Sequence, residues 1–407
     1  MNILKKIFSP AIFTISILLF IYTFYKSEII LDGANRNYYK NYYLISSILI
    51  FFSIITFFIN DKIKQYLIIS GISFVVSLYL FEGYLTIKQV SKEQLYEKKT
   101  GINWDRRSKL EIYKELKKKN NKITISYNPS FNLENYSTFP LSGLSNSETI
   151  VCNENGYYSF YQSDRYGFNN PDNEWDKKEI EYLLVGDSFA QGACVNSPND
   201  ISSVLRNLSN KSLLNLGMGG NGPLIEYATL REYLNTNVKK VLWIYYEGND
   251  LRNLENEKKN EILINYLKNL NFTQNLKFKQ NDIDIFLSNL IKEEEKERDR
   301  EKDANTFKFK LMKFIKIFYT RYLILSIPEP VPAPEFKQIL QLTKKLVNKN
   351  NSKLYFVYLP GYQRYTTYDN TNYNLVKNIL NELKIPFIDI HKEVFEKEQN
   401  PLKLFPF

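Results

Sequence analysis

The stretch Leu183-Leu184-Val185-Gly186-Asp187-Ser188-Phe189-Ala190-Gln191-Gly192 decides the fold of this chain. An apolar run closed by a Gly-Asp-Ser turn, then residues able to start a helix, reads as a buried strand that carries a serine hydroxyl at its carboxyl end. In an open α/β sheet the ligand crevice lies outside the carboxyl ends of the strands, so Ser188 stands where a nucleophile would work. Apolar runs at Tyr182–Val185, Ser212–Leu216, Val241–Tyr246, Leu354–Tyr358 and Phe387–Ile390 predict five buried parallel strands with helical segments between them. Pro223 falls in the first turn of a helix running to about Tyr233, where its missing N–H costs nothing. An α/β domain is therefore expected over 176–407, with a helical insertion at about 251–334.

Upstream, three uncharged windows lie between Lys6 and Lys26, between Lys40 and Asp61, and between Lys64 and Glu82. Each approaches the ~20 apolar residues that cross a bilayer as a helix. They predict three transmembrane helices, at roughly 7–26, 42–60 and 65–87, in a membrane segment covering 1–90. A cleaved signal sequence is the weaker reading of the first, because no small-x-small site precedes Glu28. The lysines and arginines flanking the spans barely choose an orientation, but an odd number of spans puts the remainder of the chain on the side opposite the amino terminus. The expectation is a multi-pass inner-membrane protein with its soluble domain outside the cytoplasm.

Between membrane and α/β domain, residues 91–175 read as a charged, solvated helix to about Asn121, then an irregular segment containing β-structure from Ile123-Thr124-Ile125-Ser126-Tyr127 onward. Within the insertion, the run Glu293–Arg300 reads as an exposed helix face. After it, Leu311, Phe314, Ile315, Phe318 and Tyr322 recur at helical spacing among Lys310, Lys313, Lys316 and Arg321. Such a basic amphipathic helix either lies on an anionic membrane surface or packs on its own domain. Pro328–Pro334 reads as a stiff connector back to the core.

Composition excludes several functions. The chain has 407 residues and a formal net charge of +10, but Lys, Asn, Ile, Tyr and Phe are abundant throughout, and no Arg-rich arm, zinc spacing or RNP-like pattern supports a nucleic-acid partner. A single histidine, His391, rules out a multi-histidine metal site, and no cofactor is expected.

Two more constellations close strands: Asn215-Leu216-Gly217-Met218-Gly219-Gly220-Asn221-Gly222-Pro223 and Tyr246-Glu247-Gly248-Asn249-Asp250. Taken alone, Gly217-x-Gly219-x-x-Gly222 matches a dinucleotide fingerprint, with Glu247 as the ribose-binding acid. That reading leaves Gly-Asp-Ser and Gly-Asn-Asp unexplained.

Taken together, Gly186-Asp187-Ser188-Phe189, Asn215 through Gly220, and Gly248-Asn249-Asp250 resemble the SGNH hydrolases, also called GDSL-like esterases, in the order of that family and on its successive strands. The resemblance covers about 175–407, less the insertion, and implies a three-layer flavodoxin-like fold. The upstream Asp164-Arg165-Tyr166-Gly167-Phe168-Asn169 is similar to the segment preceding the nucleophile in membrane-anchored bacterial members, which favours an extracytoplasmic domain. By resemblance, Ser188 is the nucleophile, and the oxyanion hole comprises its own N–H, the N–H of Gly220 and the side-chain amide of Asn249. The implied substrate is an ester, on an envelope glycan or lipid, and the implied activity is hydrolysis or O-acyl transfer through an acyl-Ser188 intermediate. A catalytically inactive SGNH-like module that binds a glycan or envelope partner is the alternative.

The departure from the family lies in the base. The family places Asp and His three residues apart after the last strand, whereas His391 follows Asp389 by two and stands at the strand end itself. In similar proteins a Phe-Pro-Phe-like segment precedes the catalytic histidine, and here Leu404-Phe405-Pro406-Phe407 ends the sequence. Three readings follow: a histidine block beyond Phe407, His391 as base from an unusual position, or an inactive domain. Cys152 and Cys194 are expected to pair, fastening the irregular segment to the nucleophile turn.

Overall fold

The computed structural model describes residues 2–30, 33, 36–89, 91–131, 137–301, 305–324, 330–366 and 372–405, without the side chains of 2, 37, 131, 294–301, 305–307 and 324. Most of Glu293–Arg300, the start of the Pro328–Pro334 connector and the final Pro406-Phe407 therefore lie, wholly or in their side chains, outside the described residues. The chain divides into two compact units, Met1–Val90 with Arg300–Pro330, and Ser91–Asp299 with Val331–Phe407.

The second unit is built on a five-stranded sheet in which every pairing is parallel. Its strands follow a small sheet of β1 (Ile123–Ile125), β2 (Glu148–Asn153) and β3 (Tyr158–Gln162), and are β4 (Ile180–Gly186), β5 (Leu213–Asn215), β6 (Val238–Tyr246), β7 (Lys353–Leu359) and β8 (Phe387–Asp389). All five expected strands are present. Their spatial order is β5-β4-β6-β7-β8, the doubly wound 2-1-3-4-5 pattern, whose topological switch point lies beside the first strand. Leu183, Leu184 and Val185 are wholly buried because helices cover both faces, which is why the strand reads as one continuous apolar run. Trp243, Tyr245, Phe356 and Tyr358 fill one side of the sheet.

The charged stretch after Ser91 forms two helices, Lys92–Thr100 and Lys109–Lys117, instead of one. Each opens on a capping box, Ser91 with Gln94 and Ser108 with Glu111, and the first ends on left-handed Gly101. The second buries Leu110, Ile112 and Tyr113 against β1 and β2.

Cys152 in β2 and Cys194 beyond the Ser188 turn are joined as a disulfide, their Cα atoms 4.9 Å apart and 42 residues apart in sequence. A cross-link closing such a loop typically contributes about 2–4 kcal/mol.

In the amino-terminal part of the first unit, α-helices occupy Asn2–Phe24, Arg36–Thr56 and Asp61–Lys88. Two helical stretches, Ile3–Ile30 and Asp61–Lys88, are long and apolar enough to cross a membrane. The three expected spans are thus corrected to two among the described residues. The Arg36–Thr56 helix spends its first eight positions on Arg-Asn-Tyr-Tyr-Lys-Asn-Tyr-Tyr, leaving too short an apolar remainder.

Candidate functional site

Ser188 opens a single helical turn, Ser188–Gln191, directly after β4. The turn is fixed from beneath: Asp187 is wholly buried, its Oδ1 accepts from Phe189 N at 2.9 Å, and its Oδ2 accepts from Ser188 Oγ at 3.3 Å. Gly186 precedes it because a Cβ there would meet Ile244 O at 2.7 Å and Ala190 Cβ at 2.9 Å. From the side, Asn215 Nδ2 donates to Ala190 O at 2.6 Å and Asn169 Nδ2 donates to Gln191 O at 2.8 Å.

After β5 the chain turns at Gly219-Gly220. Gly220 has φ +79°, and a Cβ on it would stand 2.4 Å from Ser130 Oγ, so both conformation and space require glycine. The N–H of Gly219 is committed to Gln191 Oε1 at 2.9 Å, whereas that of Gly220 has no hydrogen-bond partner among the described residues. Asn253 holds the turn through its Nδ2, which donates to Gly220 O at 3.1 Å and Asn221 O at 3.2 Å.

After β6, Asn249 precedes the helix Asp250–Glu257. Its Nδ2 lies 3.5 Å from Asp187 Oδ2, at the outer limit of a hydrogen bond. Ser188, Gly220 and Asn249 all line one cleft of about 930 Å³. The structure thus brings together the three residues singled out from sequence, on either side of the switch point. Tyr246, Phe189, Tyr362 and Phe405 give the cleft aromatic walls, and the Cys152–Cys194 bridge borders it.

His391 is placed elsewhere. Its Nδ1 is 2.7 Å from Tyr365 Oη and its Nε2 is 3.1 Å from Glu396 Oε1, so both ring nitrogens are occupied. It does not line the cleft. Burial first, and Arg364 second, hold its pKa below the usual histidine range. The structure does not pair His391 with Ser188: its imidazole belongs to a cluster with Tyr365, Tyr373 and the carboxyl-terminal segment.

The dinucleotide reading also fails locally. The N–H groups of Gly222, Leu224 and Ile225, which would cradle a pyrophosphate, donate to the Glu257 carboxylate at 2.5, 3.0 and 3.4 Å. Glu247, the would-be ribose partner, accepts from Arg364 Nε and Gly361 N, each at 2.9 Å, pinning the loop after β7.

Sequence reasoning missed Asn253, Gln191 and Ser130. The first two carried a weak signal, lying one helical turn beyond Asn249 and Ser188, but nothing in the irregular segment marks Ser130.

Beneath the cleft, four carboxyls are wholly buried: Asp187, Glu226, Asp250 and Glu257. Burial raises Asp187 to about 6, partly offset by the hydrogen bonds from Phe189 N and Asn249, and raises Glu257 to about 8 against its three backbone donors. Burial, then repulsion from the neighbouring acids, holds Glu226 and Asp250 well above the carboxylate range. Acids whose folded pKa is raised bind protons on folding, so their contribution is complete below the unfolded value and lost as pH climbs through the folded one. The unfolding temperature is therefore expected to fall between about pH 6.5 and 8, where Glu257 titrates, by roughly 1.4 kcal/mol of stability per pH unit for each full proton. Thermal unfolding at the two pH values checks this, and Glu257→Gln is expected to flatten the slope.

No family model matches this chain, and no characterised protein compared with it is significantly similar.

Proposed function

We propose that this chain is a membrane-anchored serine hydrolase or O-acyltransferase of the SGNH type, with a flavodoxin-like catalytic domain outside the cytoplasm. The observation that carries the reading is the convergence of Ser188, the Gly220 N–H, unpaired among the described residues, and the Asn249 amide on one cleft at the switch point of a parallel sheet. The disulfide supports the compartment, because such bonds persist mainly in oxidising surroundings. The apolar Ile3–Ile30 and Asp61–Lys88 helices support the anchor.

In this reading Ser188 Oγ attacks the carbonyl carbon of an ester. The oxyanion that forms is stabilised by the N–H groups of Ser188 and Gly220 and by Asn249 Nδ2. As the C–O bond to the alcohol breaks, the proton given up by Ser188 Oγ ends on the leaving alkoxide, so a neutral alcohol departs and acyl-Ser188 remains. Water or a sugar hydroxyl then attacks the acyl carbon and restores the serine. Asn249 supplies a neutral donor beside Asp187, where a cation would be drawn to the carboxylate instead. Asn249→Ala is expected to lower kcat by ~10²–10³ with little change in KM, because the donor acts on charge present only in the transition state. Steady-state kinetics on a chromogenic acetyl ester reads this.

The second reading is a non-catalytic SGNH-like module that binds a glycan. The observation favouring it is that, among the described residues, no imidazole reaches Ser188 Oγ and its one titratable hydrogen-bond partner is Asp187. Covalent labelling by a fluorophosphonate probe separates the two, applied to the chain carried through any residues that follow Phe407. Labelling at Ser188 supports the enzyme; a chain that binds glycan and never labels supports the module.

A further inference from the structure

The Asp61–Lys88 helix buries an acidic side chain. Glu82 is wholly buried, and its carboxylate accepts three hydrogen bonds from residues nearly 240 positions later: Tyr319 N at 3.0 Å, Thr320 N at 2.8 Å and Thr320 Oγ1 at 2.8 Å. One turn earlier, Tyr79 Oη donates to Ile315 O at 2.9 Å and its ring meets Phe314, which also lies beside Gly83. These contacts fasten the helices Asn305–Ile315 and Phe318–Ile324 to one apolar helix within a single compact unit.

The fastened helices keep much apolar surface uncovered. Phe309, Tyr322 and Leu323 are each more than 60% exposed, and Leu311, Met312 and Ile315 more than 40%. Interleaved with them are Lys308, Lys310, Lys313, Lys316 and Arg321, with no acidic residue anywhere from Asn305 to Ile324. Water disfavours such a surface, while the headgroup layer of an anionic bilayer suits it: the rings enter the acyl boundary and the lysines reach out to phosphate. The depth agrees. Glu82 lies six residues before Lys88, the end of its helix, hence ~9 Å along the axis, at the level of an interface and not of the hydrocarbon centre.

We infer that residues 305–324 form a second membrane attachment, a pair of short helices lying in the anionic headgroup layer and tied by Glu82 to the Asp61–Lys88 span. The insertion into the α/β domain thereby becomes a lipid-bound clamp, and its partner is the acidic phospholipid surface.

Nitroxide accessibility tests this on the full chain reconstituted in vesicles of phosphatidylethanolamine and phosphatidylglycerol. Both native cysteines are in the disulfide, so an introduced cysteine is the only free thiol to label. Labels at Phe309→Cys, Tyr322→Cys and Leu323→Cys are expected to favour collision with oxygen over a water-soluble nickel chelate, and Phe278→Cys, exposed in the other unit, the reverse. Val75→Cys reports on the span itself. Nickel-favoured collisions at 309, 322 and 323 with an oxygen-favoured Val75→Cys overturn the clamp alone; a nickel-favoured Val75→Cys overturns the span on which it rests. Low accessibility to both reagents at the three clamp sites means a protein covers them and likewise overturns it. In vesicles of phosphatidylcholine alone the oxygen preference at the clamp sites is expected to drop at least twofold, and an unchanged value overturns the role of lipid charge. Glu82→Ala is expected to shift Tyr322→Cys and Leu323→Cys toward nickel while leaving Val75→Cys in lipid; no shift overturns the tie.

Discussion

Replacing Ser188 with alanine is expected to abolish fluorophosphonate labelling and to cut ester turnover by as much as ~10⁶-fold, the loss seen when a serine nucleophile is taken from a complete site. The size follows from the way the site is built. In the proposed mechanism Gly220 and Asn249 act on the tetrahedral oxyanion that attack by Ser188 creates, so without Ser188 they can assist only the far slower direct attack by water. Ser188→Ala should leave the fold intact, because the turn is held by Asp187, Asn215 and Asn169 through backbone groups that the variant keeps. An unchanged thermal unfolding profile with lost labelling is therefore the expected pair of results. Labelling that persists in Ser188→Ala would place the reactive hydroxyl elsewhere and remove the basis for the enzyme reading.

Asp164→Ala is expected to cost about 3–5 kcal/mol of stability, the scale reached when one member of a buried charged network is deleted. Asp164 is wholly buried and accepts from four donors: Tyr166 N at 2.9 Å, Phe168 N at 3.0 Å, Asn170 Nδ2 at 2.8 Å and Trp175 Nε1 at 2.7 Å. Burial lifts its pKa to about 6 and these bonds hold it from rising further. Alanine leaves four buried donors without the acceptor they share. The loss also reaches the turn bearing Ser188, since Asn170 pairs with both the N–H and the carbonyl of Asn215, at 2.7 and 2.9 Å, and Asn215 holds Ala190. A lower unfolding temperature together with reduced turnover is the expected outcome, measured on the full chain in detergent. Gly167 belongs to the same turn, because a Cβ there would overlap Gly143 O at 2.0 Å. The Asp164–Asn169 segment, noticed in sequence only for its likeness to a family motif, thus has a structural reason: it braces the strand end from which Ser188 projects.

Much of this site was legible in the linear chain, for one physical reason. Strands buried on both faces tolerate only apolar side chains, so each appears as an uninterrupted run with polar residues bunched at its end. Gly186-Asp187-Ser188, Gly219-Gly220 and Gly248-Asn249 stand out against that background, and parallel strands bring their carboxyl ends to one edge of the sheet. The error over the second apolar window has an equally local cause. Counting uncharged residues from Lys40 to Asp61 gave no weight to the tyrosines and asparagines with which that helix begins.

Side-chain partnerships across long separations could not be read in the same way. His391 looked available at a strand end, yet Tyr365 and Glu396 converge on its two nitrogens from separate loops. Glu82 looked like the boundary of an apolar window, yet it is buried by residues from the insertion. Glu257 had no visible role, yet it occupies the helix terminus that a phosphate would need. By itself, then, the sequence determined the α/β class, the five strands, the apolar amino-terminal segment and the turn bearing Ser188, because periodicity and burial are properties of a local run. Only the tertiary structure decided which polar groups meet, because a buried donor or acceptor must find a partner wherever the folded chain provides one.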